Sequence, residues 1–184
     1  MGFWRKLLDI PPKPTPAEID QQLREIFDFT DADLKANHDG RMSSKQHYWF
    51  IDKLLRTVLL AIAITVAGGW LLFSIVQGRE PFGLWQISPI PLFLGFALVV
   101  WIIFSGVKVW QLLIDVMTQK VDVVIGKGRV HRYWYGRDLK RYGLVIKNEG
   151  FAVTKKAASF LNDDEYYTVF FTVRSRVILS IEVG

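Results

Sequence analysis

The sequence predicts a membrane α+β protein: a two-helix transmembrane hairpin, short N-terminal amphipathic helices before it, and a small C-terminal β-barrel of the SH3-like or OB-like kind after it. Three observations carry this. Thr57–Val76 is twenty residues without a charge, and Pro91–Val107 is a second uncharged run whose helical pattern continues to about Met117. A bilayer core about 30 Å thick takes about 20 helical residues, so both runs are long enough to span it. From Lys120 onward the pattern shifts to short stretches rich in Val, Ile, Tyr and Phe, which is strand chemistry. The expected organisation is a cytoplasmic helical segment over 1–54, two spans (about 57–76 and 90–110) with a short external loop over 55–117, and a cytoplasmic basic β-rich domain over 118–184.

The start of the chain, Met1–Ile10, has too short an apolar stretch for a cleavable signal peptide, and prolines follow at once. Gly2 does not open a myristoylation signal, because Lys6 stands where Ser or Thr is needed. Thr15-Pro16-Ala17-Glu18 reads as a helix start: Thr15 caps, Pro16 fits the first turn and Glu18 completes a capping box. Ile19, Leu23, Ile26 and Phe27 then share one helical face. Thr30-Asp31-Ala32-Asp33 opens a second helix that ends near Asp39-Gly40. Ser43 or Ser44 caps a third, which runs on through Trp49 and Phe50 into the first span.

In the C-terminal part the expected strands are Lys120–Ile125, Arg129–Tyr135, Gly143–Lys147, Phe151–Lys155, Tyr167–Thr172 and Val177–Val183, with a helical turn at Lys156–Leu161. Gly126-Lys127-Gly128 lacks the spacing and the Lys-Ser/Thr pair of a phosphate loop, and a tight turn or bulge explains it better. Closing a short sheet into a barrel would remove its edges.

Charge is unevenly distributed. Residues 1–56 hold nine Lys/Arg and nine Asp/Glu, and 57–117 hold two of each. Residues 118–184 hold twelve against seven, which is the whole net charge of +5. Arg41, Lys45, Lys53 and Arg56 precede the first span, and Lys108, Lys120, Lys127 and Arg129 follow the charge-free core of the second. The bias of basic residues toward the cytoplasm therefore puts both termini inside and Gln77–Ser88 outside, in a multi-pass protein of the cell inner membrane. Trp85 and Trp110 are placed as interfacial anchors. Cysteine is absent, so no disulfide, thiolate metal site or thiol nucleophile is available.

Motifs that carry chemistry are weak. Lys35–Gly40 has calcium-loop spacing in part, but Lys35 and Gln46 stand where end ligands belong. His38, His47 and His131 share no metal-ligand spacing. Asp163, Asp164 and Glu165 fit a solvated loop. Asp115 falls past the hydrocarbon in a helix extension, which argues against ion transport. Arg129–Arg141 interleaves cations with aromatics. Its Arg129, Arg132, Trp134, Arg137, Lys140 and Arg141 are candidates for lipid or partner contact, and a membrane tether disfavours the nucleic-acid reading. Gly68, Gly69, Gly95 and Gly106 are candidates for close helix packing, either within the hairpin or against a larger membrane partner.

Two segments, Phe27–Gln46 (FDFTDADLKANHDGRMSSKQ) and Val169–Val183 (VFFTVRSRVILSIEV), together with their order around the hairpin, resemble those of uncharacterised small bacterial membrane proteins. That resemblance implies an N-terminal helical segment, a two-span hairpin and a C-terminal β-rich domain, and it implies no activity or site residue. The function expected is a non-catalytic accessory, scaffold or assembly subunit of a larger membrane protein complex. The alternative is a membrane-surface sensor or ligand-binding module whose basic barrel binds anionic lipid, peptide or a small ligand. Neither needs a cofactor or a metal, and the expected partners are membrane lipids and a larger complex or a second copy.

Overall fold

The computed structural model describes residues 15–77, 90–135, 139–163 and 165–184. They form an α+β protein with two long apolar helices and a five-stranded antiparallel sheet curled into a half-barrel. The chain divides into two compact units. One comprises the described parts of Met1–Gly40, Val121–Phe171 and Arg176–Gly184, and the other comprises those of Arg41–Lys120 with Thr172–Ser175.

The first unit starts with α1 (Pro16–Phe27) and α2 (Asp31–His38), each opened by a reciprocal capping box. The Thr15 N–H donates to Glu18 at 2.7 Å, and the Thr15 hydroxyl accepts the Glu18 N–H at 3.3 Å. The Thr15 backbone N–H, and after it the Thr15 side chain, hold the Glu18 carboxyl below the usual carboxylate range. Thr30 and Asp33 repeat the device. Arg24 pairs with Asp20 at 2.7 Å and with Asp31, joining the two helices. Both Ile19 and Leu23 are buried, as the spacing of the amphipathic face predicts.

Five strands follow: β1 (Val121–Tyr135), β2 (Leu139–Ile146), β3 (Glu149–Val153), β4 (Tyr166–Thr172) and β5 (Ile178–Val183), with α5 (Lys155–Phe160) between β3 and β4. Their order in the sheet is β3-β2-β1-β4-β5. Hairpin registers set Gly128 opposite Ile146, Leu144 opposite Phe151 and Val169 opposite Ile181. Ile19, Leu23, Phe29 and Leu34 from the helical segment share one core with Leu144, Ile146, Phe151, Tyr167, Val169 and Ile181.

One element differs from the sequence reading. Gly126-Lys127-Gly128 makes no turn but lies inside the fifteen-residue strand β1. The reason is packing. A Cβ on Gly128 would sit 2.7 Å from the Tyr167 ring and 3.1 Å from a Leu144 methyl, so glycine makes room for a buried aromatic. Of the acids before β4, Asp164 lies outside the described residues, and the other two accept hydrogen bonds in a partly exposed loop. Asp163 accepts the Val130 N–H at 2.7 Å, and Glu165 receives the Asn162 amide at 3.0 Å.

The second unit consists of α3 (Ser44–Val76) and α4 (Ile90–Thr118) with the turn at 172–175. Ser43 caps α3 through a third box, with Gln46. Both helices are long and apolar enough to cross a membrane, and almost none of their apolar stretch is buried. At the base, the Met42 N–H donates to the Gln119 carbonyl at 3.0 Å, beside a backbone bridge between Arg41 and Lys120.

Candidate functional site

The helical unit holds the four candidate packing glycines. Gly68 fixes the helix pairing: a Cβ there would lie 2.9 Å from Leu98 Cδ1. At Gly69, Gly95 and Gly106 an added Cβ meets nothing within 4 Å. The four candidate packing glycines thus divide into one at the contact of the two helices and three that face open space. Gly106 borders an apolar groove of about 310 Å³, which Ala61, Ile62 and Thr65 line from α3 and Ile102, Ser105 and Val109 from α4.

Charges gather at the base of the hairpin. Asp115 is fully buried, and its carboxylate accepts the backbone N–H of Arg174 at 3.0 Å and of Ser175 at 2.7 Å. A buried carboxylate is tolerable when its lone pairs are engaged in this way. Asp115 therefore holds the turn, and Thr172 and Ser175 pair their hydroxyls at 2.8 Å within it. Asp52 takes Arg56 at 2.9 Å, one helical turn on. Lys53 follows Asp52 in the chain and lies over the Trp49 ring, 4.7 Å from its centroid, and 5.8 Å from that of the buried Phe50. The sequence reading used Lys53 only as an orientation signal. Residues 41–120 hold seven Lys/Arg against three acids, an excess the sequence shows without saying which cations are left over.

In the first unit, alternate residues of β1 are open to solvent: Val123, Ile125, Lys127, Arg129 and His131 are exposed, and Val124, Gly126 and Gly128 are buried. Lys127 lies 5.8 Å from the Tyr166 ring centroid. Of the candidate strip, Arg129 is an exposed residue of β1. The register sets Arg132 opposite Tyr142, Trp134 opposite Lys140 and Tyr133 opposite Arg141. Arg137, and the side chains of Arg132, Trp134, Lys140 and Arg141, lie outside the described residues. His38 contacts Glu182 at 3.2 Å and packs edge-on against Phe170, and the amide of buried Asn37 donates to Ser180 at 2.8 Å. Among the described residues no three potential metal ligands lie together.

The most perturbed side chain in this unit is Tyr167. Its ring is fully buried, and its hydroxyl accepts the Asn162 N–H at 2.8 Å and donates to the Asn162 carbonyl at 3.2 Å. Burial pushes its pKa up to about 12. This is a structural phenol, tied into the loop before β4.

Comparison with protein-family models, with curated proteins and with solved structures finds no match to this chain.

Proposed function

We propose that this chain is a membrane-embedded, non-catalytic accessory or assembly subunit of a larger complex in the bacterial inner membrane. One observation supports it most. Large apolar side chains are exposed along both helices on the faces turned away from their mutual contact, including Leu59, Val66 and Phe73 on α3 and Phe93, Ile103 and Phe104 on α4. A surface of that extent is unusual on a soluble monomer and costs little in lipid. The small residues bordering the groove, Ala61, Ser105 and Gly106, admit close approach of a further helix.

The test begins with an alkaline carbonate wash of membranes, which leaves an embedded chain in the pellet. Purification in mild detergent should then retain a partner, and a strictly monomeric species with nothing bound would refute the accessory role. Orientation is testable because the chain has no cysteine. A single cysteine replacing Ser88 should react with an impermeant thiol reagent in intact cells, and one replacing Ser159 should not. The reverse pattern would overturn the topology.

A second reading, surface sensing by the β unit, is favoured by the exposed run of Val123, Ile125, Lys127 and Arg129. The Val121 N–H donates to the Gly40 carbonyl at 3.1 Å, so a short linker can replace 41–120. If vesicle flotation of that shortened chain ignores both anionic lipid and salt, this reading loses its support.

A further inference from the structure

We infer that Lys53 and Lys108 form a binding site for the phosphate of an anionic glycerophospholipid at the boundary of the apolar hairpin. The inference rests on the membrane reading above. Among the described residues of the helical unit the acids are Asp52 and Asp115. Asp52 pairs with Arg56, and Asp115 spends both its oxygens on the backbone of the turn. Neither carboxylate is left for Lys53 or Lys108.

Geometry brings the two cations together. The Gly68–Leu98 contact fixes the helix register. Ten residues from it along each antiparallel helix bring Val58 level with Lys108, and Lys53 is five residues further on, roughly 7.5 Å of helix rise. Two lysine stems span that gap, and one phosphate can accept from both ammonium groups. Two like charges on facing helices repel unless an anion sits between them.

The surroundings select a lipid headgroup over a diffusing anion. Lys53 stands four residues before the charge-free run that begins at Thr57, and Lys108 directly follows the one that ends at Val107. Both ends of the site are therefore at the same edge of the apolar region, where phospholipid phosphates lie. Half-exposed Trp49 beside Lys53, with the exposed rings of Tyr48 and Trp110, supplies the aromatic belt of that depth.

The experiment uses the full chain in mild detergent and native mass spectrometry with added phosphatidylglycerol or phosphatidylcholine. Wild type should retain phosphatidylglycerol selectively. The K53Q/K108Q variant should bind it roughly thirtyfold more weakly, from the loss of two cations near one headgroup. K53R/K108R should keep the preference, and K147Q, on an exposed turn, should not alter it. Equal retention of the two lipids by wild type, or an unchanged preference in K53Q/K108Q, would overturn the site. So would competition by inorganic phosphate at equal concentration. If a carbonate wash releases the chain from membranes, the membrane reading itself has failed. If the chain stays in the pellet and the lipid result is negative, the site alone has.

Discussion

Replacing Gly128 with alanine should destabilise the β unit far more than the same change at Gly126, two residues away in β1. The added carbon at 128 would meet Tyr167 ring atoms at 2.7 and 2.9 Å. Carbon pairs settle at about 3.5–4.0 Å, so something must move by about 0.8 Å or more. The ring cannot yield freely. It is fully buried, and its hydroxyl is fastened to both backbone groups of Asn162. Leu144 presses from another direction at 3.1 Å, and β1 is held between β2 and β4. Overpacking of this kind costs about 1–3 kcal/mol. At about 4–8 °C per kcal/mol for a unit this size, Tm should fall by roughly 5–20 °C. At Gly126 the nearest atoms are an Ile146 methyl at 3.1 Å and the flexible Lys147 stem at 3.3 Å, so the loss there should stay below about 1 kcal/mol. Thermal melting of the full chain in detergent, followed by circular dichroism, reads both. Adding Tyr167→Leu to the Gly128→Ala variant should cost less than the two single losses combined, by about 0.5 kcal/mol or more. Equal melting of the two alanine variants, or strict additivity in the double one, would refute the reasoning.

Three further outcomes are expected. The folded pKa of Tyr167, about 12, lies above the ordinary value of about 10, so its neutral form supports the fold below pH 10 and that support is lost between pH 10 and 12; Tyr167→Phe should flatten this alkaline limb of a stability-versus-pH curve. Asp115→Ala strips the acceptor from two backbone N–H groups, should cost about 1–3 kcal/mol, and should speed amide exchange at Arg174 and Ser175; unchanged exchange would remove Asp115 from that role. Gly68→Val should drive the helices apart and Gly69→Val should not, as disulfide trapping of cysteine pairs across the hairpin would report; equal trapping in both would mean that Leu98 yields.

What the sequence revealed was mostly local. Three helix starts are legible because a cap and its partner stand three residues apart, as at Thr15 and Glu18, Thr30 and Asp33, and Ser43 and Gln46. The closing hairpin is legible as two strands from its Val, Phe and Ile content, but its burial does not alternate: Val169 to Thr172 are buried in succession, as are Leu179, Ser180 and Ile181, because Asn37 and His38 of α2 cover Ser180 and Phe170. Where the sequence suggests a barrel, the sheet curls into a half-barrel, and helical residues such as Ile19 and Leu23 share its core. The amphipathic face of α1 announces that it will be covered, but not by what. Gly126 and Gly128 read as punctuation because the residue that explains Gly128 is Tyr167, far along the chain. Small residues mark a hairpin as able to pack closely, but they do not give its angular register, so Gly68 could not be separated from Gly69. The partners of Asp115 are 59 and 60 positions away. The lysine pair was out of reach for the same reason, since it needs the helix register at Gly68 and the partners of Asp52 and Asp115.

The pairing of early helices with a late strand has a consequence for synthesis. Asn37 and Ser180 meet in the core although 143 positions separate them. A ribosome adding about 5–20 residues per second takes roughly 7–30 s to travel that distance. Throughout that interval α1 and α2 have emerged and the strand against which they pack has not. Their apolar side chains must wait in the open, or in the keeping of a chaperone, while α3 and α4 are made and delivered. Such non-local closure is slow by nature. A ribosome stalled before Ile178 should therefore carry a chain whose first helices remain open to protease, and release of the last strand should close them.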